Sequence, residues 1–311
     1  MKNESPVFIV GAARSGTSIL YRTLQRHSSF KPQKYKHKHG VELTESNIFK
    51  TPYHTYSGAN SNAFTYMLGD EDYYCQFLGM TKSIQNYQRL LIGKDIFQKV
   101  APKVSVLRAS VWKVTQNDIL IRIFLYYAKQ ARGMKRIVEK TPQHISRLPE
   151  IKVTFPKAKL LFMPRHPLDV FSSYQRRLKD SLKLGMKESE LKWLKISPKS
   201  FCNKYASYMH IALQEKVSNP SRFMLVSYED FTCNTKVTLH KVFDFIEESY
   251  EEACIPEDTL KTTSWQADPN LFSSIKSKTK SWKNFTSEPD AKFIEDQLSE
   301  IMNQLNYPRY T

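Results

Sequence analysis

Residues 7–18 read VFIVGAARSGTS. The apolar run Val7–Val10 is typical of a strand that is buried on both faces, as the strands of parallel sheets are. Gly11 and Gly16 frame the turn that follows, and Thr17 opens a helical pattern. Such a turn aims backbone N–H groups at one point, and the helix N-terminus adds partial positive charge there. The sequence therefore predicts a loop at residues 11–18 that binds a phosphate or a similar anion.

The composition of this loop separates it from loops that bind nucleoside triphosphates. Its G-x-x-x-x-G spacing matches the Walker A pattern, but Thr17 stands where that pattern has Lys. Nucleoside triphosphatases use that Lys on the β- and γ-phosphates, together with Mg²⁺. Here the cation is Arg14, inside the loop. The absence of the Walker A Lys argues against an ATPase or a kinase. A P-loop kinase acting on a small molecule nevertheless remains an alternative.

Short apolar runs alternate with longer helical patterns along the rest of the chain. This alternation predicts an α/β fold: a P-loop-containing, three-layer α/β/α arrangement with a central, mainly parallel sheet. We expect one domain over residues 1–311, with insertions at about 31–111 and 178–197 that carry substrate contacts. Strands are expected at Val7–Val10, Arg136–Glu139, Lys159–Met163 and Phe223–Ser227, and helices at Thr17–His27, Asp118–Ala131, Leu168–Lys179, Lys199–Val217, Lys236–Ser249 and Pro289–Leu305.

A second anion site is predicted where the strand Lys159–Met163 ends. Arg165 follows this strand, at the edge where open α/β sheets bind ligands. Ser173 lies eight residues further on, and Arg177 lies one helical turn beyond it on the same face. Two guanidinium groups and a hydroxyl are suited to holding a phosphate monoester through charge-assisted hydrogen bonds.

Together the two segments resemble the nucleotide motifs of the sulfotransferase superfamily that uses 3′-phosphoadenosine-5′-phosphosulfate (PAPS), and they are most similar to its bacterial and tyrosylprotein branch. Residues 139–142 (EKTP) and 226–231 (VSYEDF) resemble two further landmarks of that branch, and all four segments follow in the expected order. The chain departs from the family pattern at Ala13, Ser18 and His166, where the family usually has Pro, Thr and Asp. The loop keeps its N–H groups and a hydroxyl, and His166 can still form local hydrogen bonds.

The resemblance implies an enzyme that transfers the sulfuryl group of PAPS to a hydroxyl or amine acceptor by in-line displacement and releases 3′-phosphoadenosine-5′-phosphate (PAP). It implies that Lys140 and Arg14 stabilise charge on the leaving group, and that Glu45 accepts the proton of the acceptor, with Glu42 as its rival. Tyr228 is expected beside the adenosine or the 3′-phosphate, or equally as a core aromatic at a strand end. The full set implied to bind the nucleotide is Gly11, Arg14, Ser15, Gly16, Thr17 and Ser18 at the 5′-phosphosulfate, Arg165, Ser173 and Arg177 at the 3′-phosphate, Tyr228, and Lys278 and Lys280 in a basic segment that closes over the nucleotide.

The overall charge leaves the partner open. The formal net charge is +17, which attracts anions, although scattered and solvated lysines produce the same excess. A basic polyanion-binding protein is therefore a second alternative, but the chain contains no DNA- or RNA-binding motif. We expect a small-molecule, glycan or peptide acceptor, and the charge is compatible with an anionic acceptor or surface. The oligomeric state stays open.

Two further features of the sequence concern location and metals. No apolar run is long enough for a membrane span or for the core of a signal peptide. The four cysteines form no C-x-x-C pair, and the chemistry implied by the resemblance requires no metal. We therefore expect a cytoplasmic enzyme without a metal site.

Overall fold

The computed structural model describes residues 5–33, 133–255, 274–277 and 282–311, together with residues 45, 49, 122, 125, 126, 129 and 279. Most of the predicted insertion at 31–111 lies outside the described residues, as do Glu42, Lys278 and Lys280. Four residues of the predicted helix Asp118–Ala131 are described, and all four are helical.

Four parallel strands form the sheet of the described part of the chain. They are β1 (Val7–Gly11), β2 (Val138–Lys140), β3 (Lys159–Met163) and β4 (Phe223–Leu225), in the spatial order β2-β1-β3-β4. The predicted bounds of β3 are confirmed, whereas β2 starts two residues later than expected and β4 ends two residues earlier. Because all pairs are parallel, the carboxyl ends of the four strands lie along one edge.

Successive side chains of the central strands enter two different cores. In β1, Phe8 and Val10 belong to one buried cluster, while Val7 and Ile9 belong to the other. The same alternation continues in β3. Side chains of a strand point to opposite faces in turn, so continuous apolar runs such as VFIV supply both faces of the sheet at once.

Helices cover both faces, which confirms the three-layer α/β/α prediction. One face packs against α2 (Leu148–Thr154), α3 (Pro167–Lys183), α4 (Pro198–Ser218), α7 (Glu288–Gln297) and α8 (Ser299–Gln304). The opposite face packs against α1 (Thr17–Leu24), α5 (Tyr228–Cys233) and α6 (Thr235–Ile246). Short 3₁₀ segments occupy Pro142–Arg147, Glu188–Leu194, Glu252–Cys254 and Trp282–Asn284.

Several helix ends differ from the sequence predictions. Helices α1 and α6 each end three residues earlier than expected, at Leu24 and Ile246. Helix α3 continues to Lys183, so the predicted insertion at 178–197 begins inside a helix. The single helix predicted over Pro289–Leu305 is wrong, because the backbone at Leu298 (φ −110°, ψ 12°) leaves the α-helical region and separates α7 from α8.

Among the helices described, none combines the length and the apolar composition that a membrane crossing needs. The described residues also contain no cluster of three or more His, Cys, Asp or Glu side chains arranged to hold a metal ion.

Candidate active site

The loop after β1 closes on itself through Ser15. Both the N–H and the hydroxyl of Ser15 donate to the carbonyl of Ala12, at 3.2 and 2.7 Å, and the residue is fully buried. Ser15 therefore shapes the loop. The N–H groups at the start of a helix have no intrahelical acceptor, and those of Gly16, Thr17 and Ser18 at this end of α1 are the donors that the sequence predicts for an anion.

The ring of Tyr228 packs directly against Gly16. The backbone of Gly16 has φ +105°, and a β-carbon at this position would lie 2.5 Å from Cδ2 of Tyr228. Tyr228 is 2% exposed, and the guanidinium of Arg165 lies 4.0 Å from its ring centroid. Tyr228 is thus a buried platform that touches both the loop and the predicted 3′-phosphate cation.

Arg165 is held at its backbone as well as at its side chain. The hydroxyl of Tyr205 donates to the Arg165 carbonyl at 2.6 Å, and Nη1 of Arg165 donates to the Arg14 carbonyl at 3.3 Å. Burial raises the pKa of Tyr205 well above its usual value, so this hydroxyl stays a donor. These contacts direct the guanidinium toward the loop after β1.

The two predicted anion sites meet at Ser173. Nε of Arg14 donates to Oγ of Ser173 at 3.3 Å, across 159 residues of sequence. Ser173 and Arg165 are each 6% exposed, and Arg177 is half-buried one helical turn further along α3. The structure therefore brings Arg14, Arg165 and Ser173 into one cluster at the carboxyl edge of the sheet.

The predicted catalytic pair lies at the end of the neighbouring strand. Lys140 is the last residue of β2, and Nζ of Lys140 donates to Oε1 of Glu45 at 2.8 Å. Lys140 is 2% exposed, whereas the side chain of Glu45 is 39% exposed. A buried ammonium and an accessible carboxylate are thus paired, and the register of β2 places Lys140 opposite Ile9, two residues before the loop that follows β1.

Glu229, for which the sequence predicts no role, supports the turn between β3 and α3 that contains Arg165 (the Arg165 turn). Oε1 of Glu229 accepts the His166 N–H at 2.9 Å, and Oε2 accepts the hydroxyls of Ser227 and Tyr307, each at 3.2 Å. Glu229 lies inside the VSYEDF landmark, so the resemblance contained a signal for it. Tyr205 carried no such signal, because it looks like any other aromatic residue on the buried side of a helix.

His166 caps α3 and binds the C-terminal segment. Nδ1 accepts the Leu168 N–H at 3.3 Å, and Nε2 lies 2.9 Å from the carbonyl of Pro308. Nδ1 must be unprotonated to accept, so Nε2 carries the hydrogen and donates it. Burial lowers the pKa of His166 to about 4, which keeps the ring in this neutral form. The Tyr310 ring stacks on it at 3.8 Å.

Comparison with known proteins gives the family. The model of the sulfotransferase family matches residues 6–252. The chain is similar to the sulfotransferase domain of the Synechococcus PCC 7002 olefin synthase (16% identity, TM-score 0.56, covering 99% of this chain and 97% of that one). It is also similar to the sulfotransferase domain of the curacin biosynthetic pathway (16% identity, TM-score 0.50, covering 99% of each chain). No curated protein matches it. Because the family match spans most of its length, the chain belongs to the sulfotransferase family and is an enzyme that transfers a sulfuryl group.

Proposed function

We propose that this enzyme takes the sulfuryl group from PAPS, that it needs no metal, and that the cluster at the carboxyl edge of the sheet binds both phosphates of the donor. The observation that carries the proposal is the junction of the two anion sites, where Arg14 contacts Ser173 and Arg165 contacts the Arg14 backbone, each at 3.3 Å. A donor with a 5′-phosphosulfate and a 3′-phosphate requires two anion sites at one place.

Each half of this cluster suits one end of the donor. The first turn of α1 and the Arg14 guanidinium supply N–H donors and positive charge for the phosphosulfate. Arg165, Ser173 and Arg177 supply two guanidinium groups and a hydroxyl for the 3′-phosphate. The positive charge that a metal ion would otherwise bring is provided by these arginines and by Lys140.

The reaction step is an in-line displacement at sulfur. The acceptor oxygen or nitrogen forms a bond to sulfur as the bond from sulfur to the phosphate oxygen breaks, and PAP leaves. Glu45 takes the proton of the acceptor. An ammonium group has three donors, so Lys140 can hold Glu45 and also donate to the departing oxygen, where the charge grows in the transition state.

We also propose that the acceptor approaches over the segment 178–197. Trp193 in this segment is 55% exposed, and its ring lies 6.2 Å from that of Tyr174, edge to face. Tyr174 directly follows Ser173 in α3 and is itself buried, so the exposed Trp193 ring packs on the helix that carries Ser173 and Arg177. Such an exposed ring suits the apolar or aromatic part of a small molecule, a glycan or a peptide.

Two substitutions separate binding from chemistry. We expect Arg165→Ala to abolish tight binding of PAP in calorimetry with a chelator present. We expect Lys140→Ala to retain the wild-type Kd for PAP and to lose about 10²- to 10³-fold in sulfuryl transfer, measured with labelled PAPS and an acceptor chosen from a panel of phenols, sugars and tyrosine peptides.

The control is Lys152→Ala. Lys152 also pairs with a carboxylate, contacting both oxygens of Glu215 at 3.0 Å, but it lies in α2, outside the cluster. It should leave both measurements unchanged. Transfer at the wild-type rate by Lys140→Ala would refute the catalytic assignment. Binding of ATP only with Mg²⁺ would indicate the kinase alternative, and steeply salt-dependent binding of DNA or heparin without PAP binding would indicate the polyanion alternative.

A further inference from the structure

A buried Glu–His pair lies directly behind Lys140, and the mechanism above does not use it. Glu139 and His144 are each 1% exposed, and Nδ1 of His144 lies 3.2 Å from Oε2 of Glu139. The other carboxylate oxygen accepts the Thr141 hydroxyl at 2.6 Å. Burying a carboxylate costs free energy unless hydrogen bonds replace those lost to water. A buried Glu–His pair at this position therefore indicates a role beyond packing.

The hydrogen bonds fix which nitrogen of His144 carries the proton. Nε2 lies 3.2 Å from the backbone nitrogen of Phe49, and a backbone N–H only donates, so Nε2 is the acceptor. Nδ1 then carries the hydrogen and donates it to Glu139, which as a carboxylate only accepts. The chain of contacts runs from Glu139 through His144 to the Phe49 backbone, and every group in it has a complementary partner.

Phe49 is held by its ring as well as by its backbone. It is 2% exposed, and its ring meets those of Phe8 and His144 edge to face, at 6.1 and 5.4 Å. Glu45 lies four residues before Phe49 and pairs with Lys140, the residue after Glu139. Glu45 and Phe49 are therefore each attached to the stretch 139–144.

We propose that Glu139 and His144 are positioning residues that hold Phe49 in place and thereby set Glu45, four residues earlier, at Lys140. The proposal rests on the role of Glu45 as the base. If His144 has this positioning role, weakening its hydrogen bond with the Phe49 N–H should slow the chemical step and leave the nucleotide cluster intact. A misplacement of about 1 Å can cost about 100-fold in rate, so a loss of roughly 10- to 100-fold in kcat is expected.

Two substitutions of His144 test its hydrogen bond with the Phe49 N–H. In His144→Asn the shorter amide can still donate to Glu139 but does not reach Phe49, whereas in His144→Gln the longer amide can place its oxygen near the Nε2 position and accept the Phe49 N–H. We expect His144→Asn to lose roughly 10- to 100-fold in kcat with an unchanged Kd for PAP. We expect His144→Gln to recover to within about threefold of the wild-type kcat.

The matched control for stability is His27→Asn. His27 is also 1% exposed and also holds backbone groups, accepting the Ser29 N–H at 3.1 Å and contacting the Ser249 carbonyl at 2.8 Å. It lies in the loop after α1, and neither Glu45 nor Phe49 is among its described contacts. A similar loss of melting temperature with unchanged kcat in this variant shows that destabilisation alone does not slow the enzyme.

Hydrogen exchange supplies a readout that does not depend on activity. Peptides that contain Phe49 should exchange faster in His144→Asn than in the wild type, and at the wild-type rate in His144→Gln. Unchanged exchange in His144→Asn would overturn the proposal even if the variant were inactive for another reason.

A double-mutant cycle separates the failure of this proposal from the failure of the proposed function. If His144 acts through Glu45, adding His144→Asn to Glu45→Gln should cost less than about twofold further in kcat. Full additivity of the two losses would overturn the positioning role. A wild-type kcat in Glu45→Gln alone would instead refute Glu45 as the base, and the exchange rates would then decide whether His144 holds Phe49.

Discussion

Replacing Gly16 by Ala tests the contact between the phosphate loop and Tyr228. The added β-carbon would lie 2.5 Å from Cδ2 and 2.9 Å from Cε2 of Tyr228, and 3.0 Å from Sδ of Met163. Separations below 3 Å require movement, and Tyr228 is buried between the loop and Arg165. The ring must shift, and the guanidinium that rests on it must shift with it.

The magnitude has two parts, one from the backbone and one from packing. A non-glycine residue at φ +105° costs about 1–3 kcal/mol, and overpacking a filled core costs about 1–3 kcal/mol. The free energy of unfolding should therefore fall by about 2–6 kcal/mol. For 311 residues the unfolding entropy is about 0.65 kcal/mol per kelvin, so each kcal/mol lowers Tm by about 1.5 °C. We expect a Tm that is about 3–9 °C lower, and PAP binding at least about tenfold weaker because Arg165 is displaced.

The control is Gly185→Ala, at the end of α3. Gly185 also has a positive φ, +78°, but a β-carbon there would meet no atom within 4 Å. This variant carries the backbone cost alone, about 1–2 kcal/mol, and should bind PAP with the wild-type Kd. Calorimetry and thermal unfolding of the two variants distinguish the effect of backbone strain at a positive φ from the effect of the clash with Tyr228. Wild-type PAP affinity in Gly16→Ala, or an equal loss of stability in Gly185→Ala, would refute the reasoning.

Two further predictions concern the support of the Arg165 turn. Tyr205→Phe removes the hydroxyl that donates to the Arg165 carbonyl at 2.6 Å; it should cost about 1–3 kcal/mol of stability and weaken PAP binding several-fold, and unchanged calorimetric affinity would show that the backbone bond does not position the guanidinium. The pKa of His166 is about 4 in the folded state and 6.5 in the unfolded chain. Burial opposes the charged ring and lowers the pKa most, while the charge of Glu295 raises it and the charge of Arg165 lowers it further. The unfolded state therefore binds more protons between these pH values, and this group should remove up to about 3 kcal/mol of stability as the pH falls from about 6.5 to about 4. Denaturant unfolding should show this loss in the wild type and not in His166→Asn, and equal pH profiles would contradict the assignment.

The sequence predicted those parts of the fold that depend on short-range patterns. Strand β3 was placed correctly because its apolar run is bounded by Pro156 and Pro164, which both interrupt regular structure. The loop after β1 was recognisable because two glycines frame it in a chain that has only nine. The break at Leu298 was missed for the opposite reason, since neither Pro nor Gly marks it and the apolar period continues through it.

Residues that act through tertiary contacts were harder to predict. Lys140 and Glu45 were each proposed separately, and nothing in their 95-residue separation indicated that they form an ion pair. Tyr205 lies 40 residues from the carbonyl that it binds. Its position in the helix predicts burial, but the target of its hydroxyl depends on how α4 packs against β4 and α3, which no local pattern contains.

His166 stands where the family usually has Asp, and its contacts with the rest of the chain could not be predicted from the family motif alone. Both Asp and His can accept a hydrogen bond at a helix N-cap, and His166 performs this task for Leu168 through Nδ1. Only His can at the same time donate from a second atom, and Nε2 uses that capacity on the carbonyl of Pro308. A carboxylate has no hydrogen to offer and is shorter than the imidazole, so Asp at this position would leave the Pro308 carbonyl without this donor. The substitution therefore keeps the cap that orders the Arg165 turn, and it adds an attachment for the C-terminal segment that the family's usual residue could not provide.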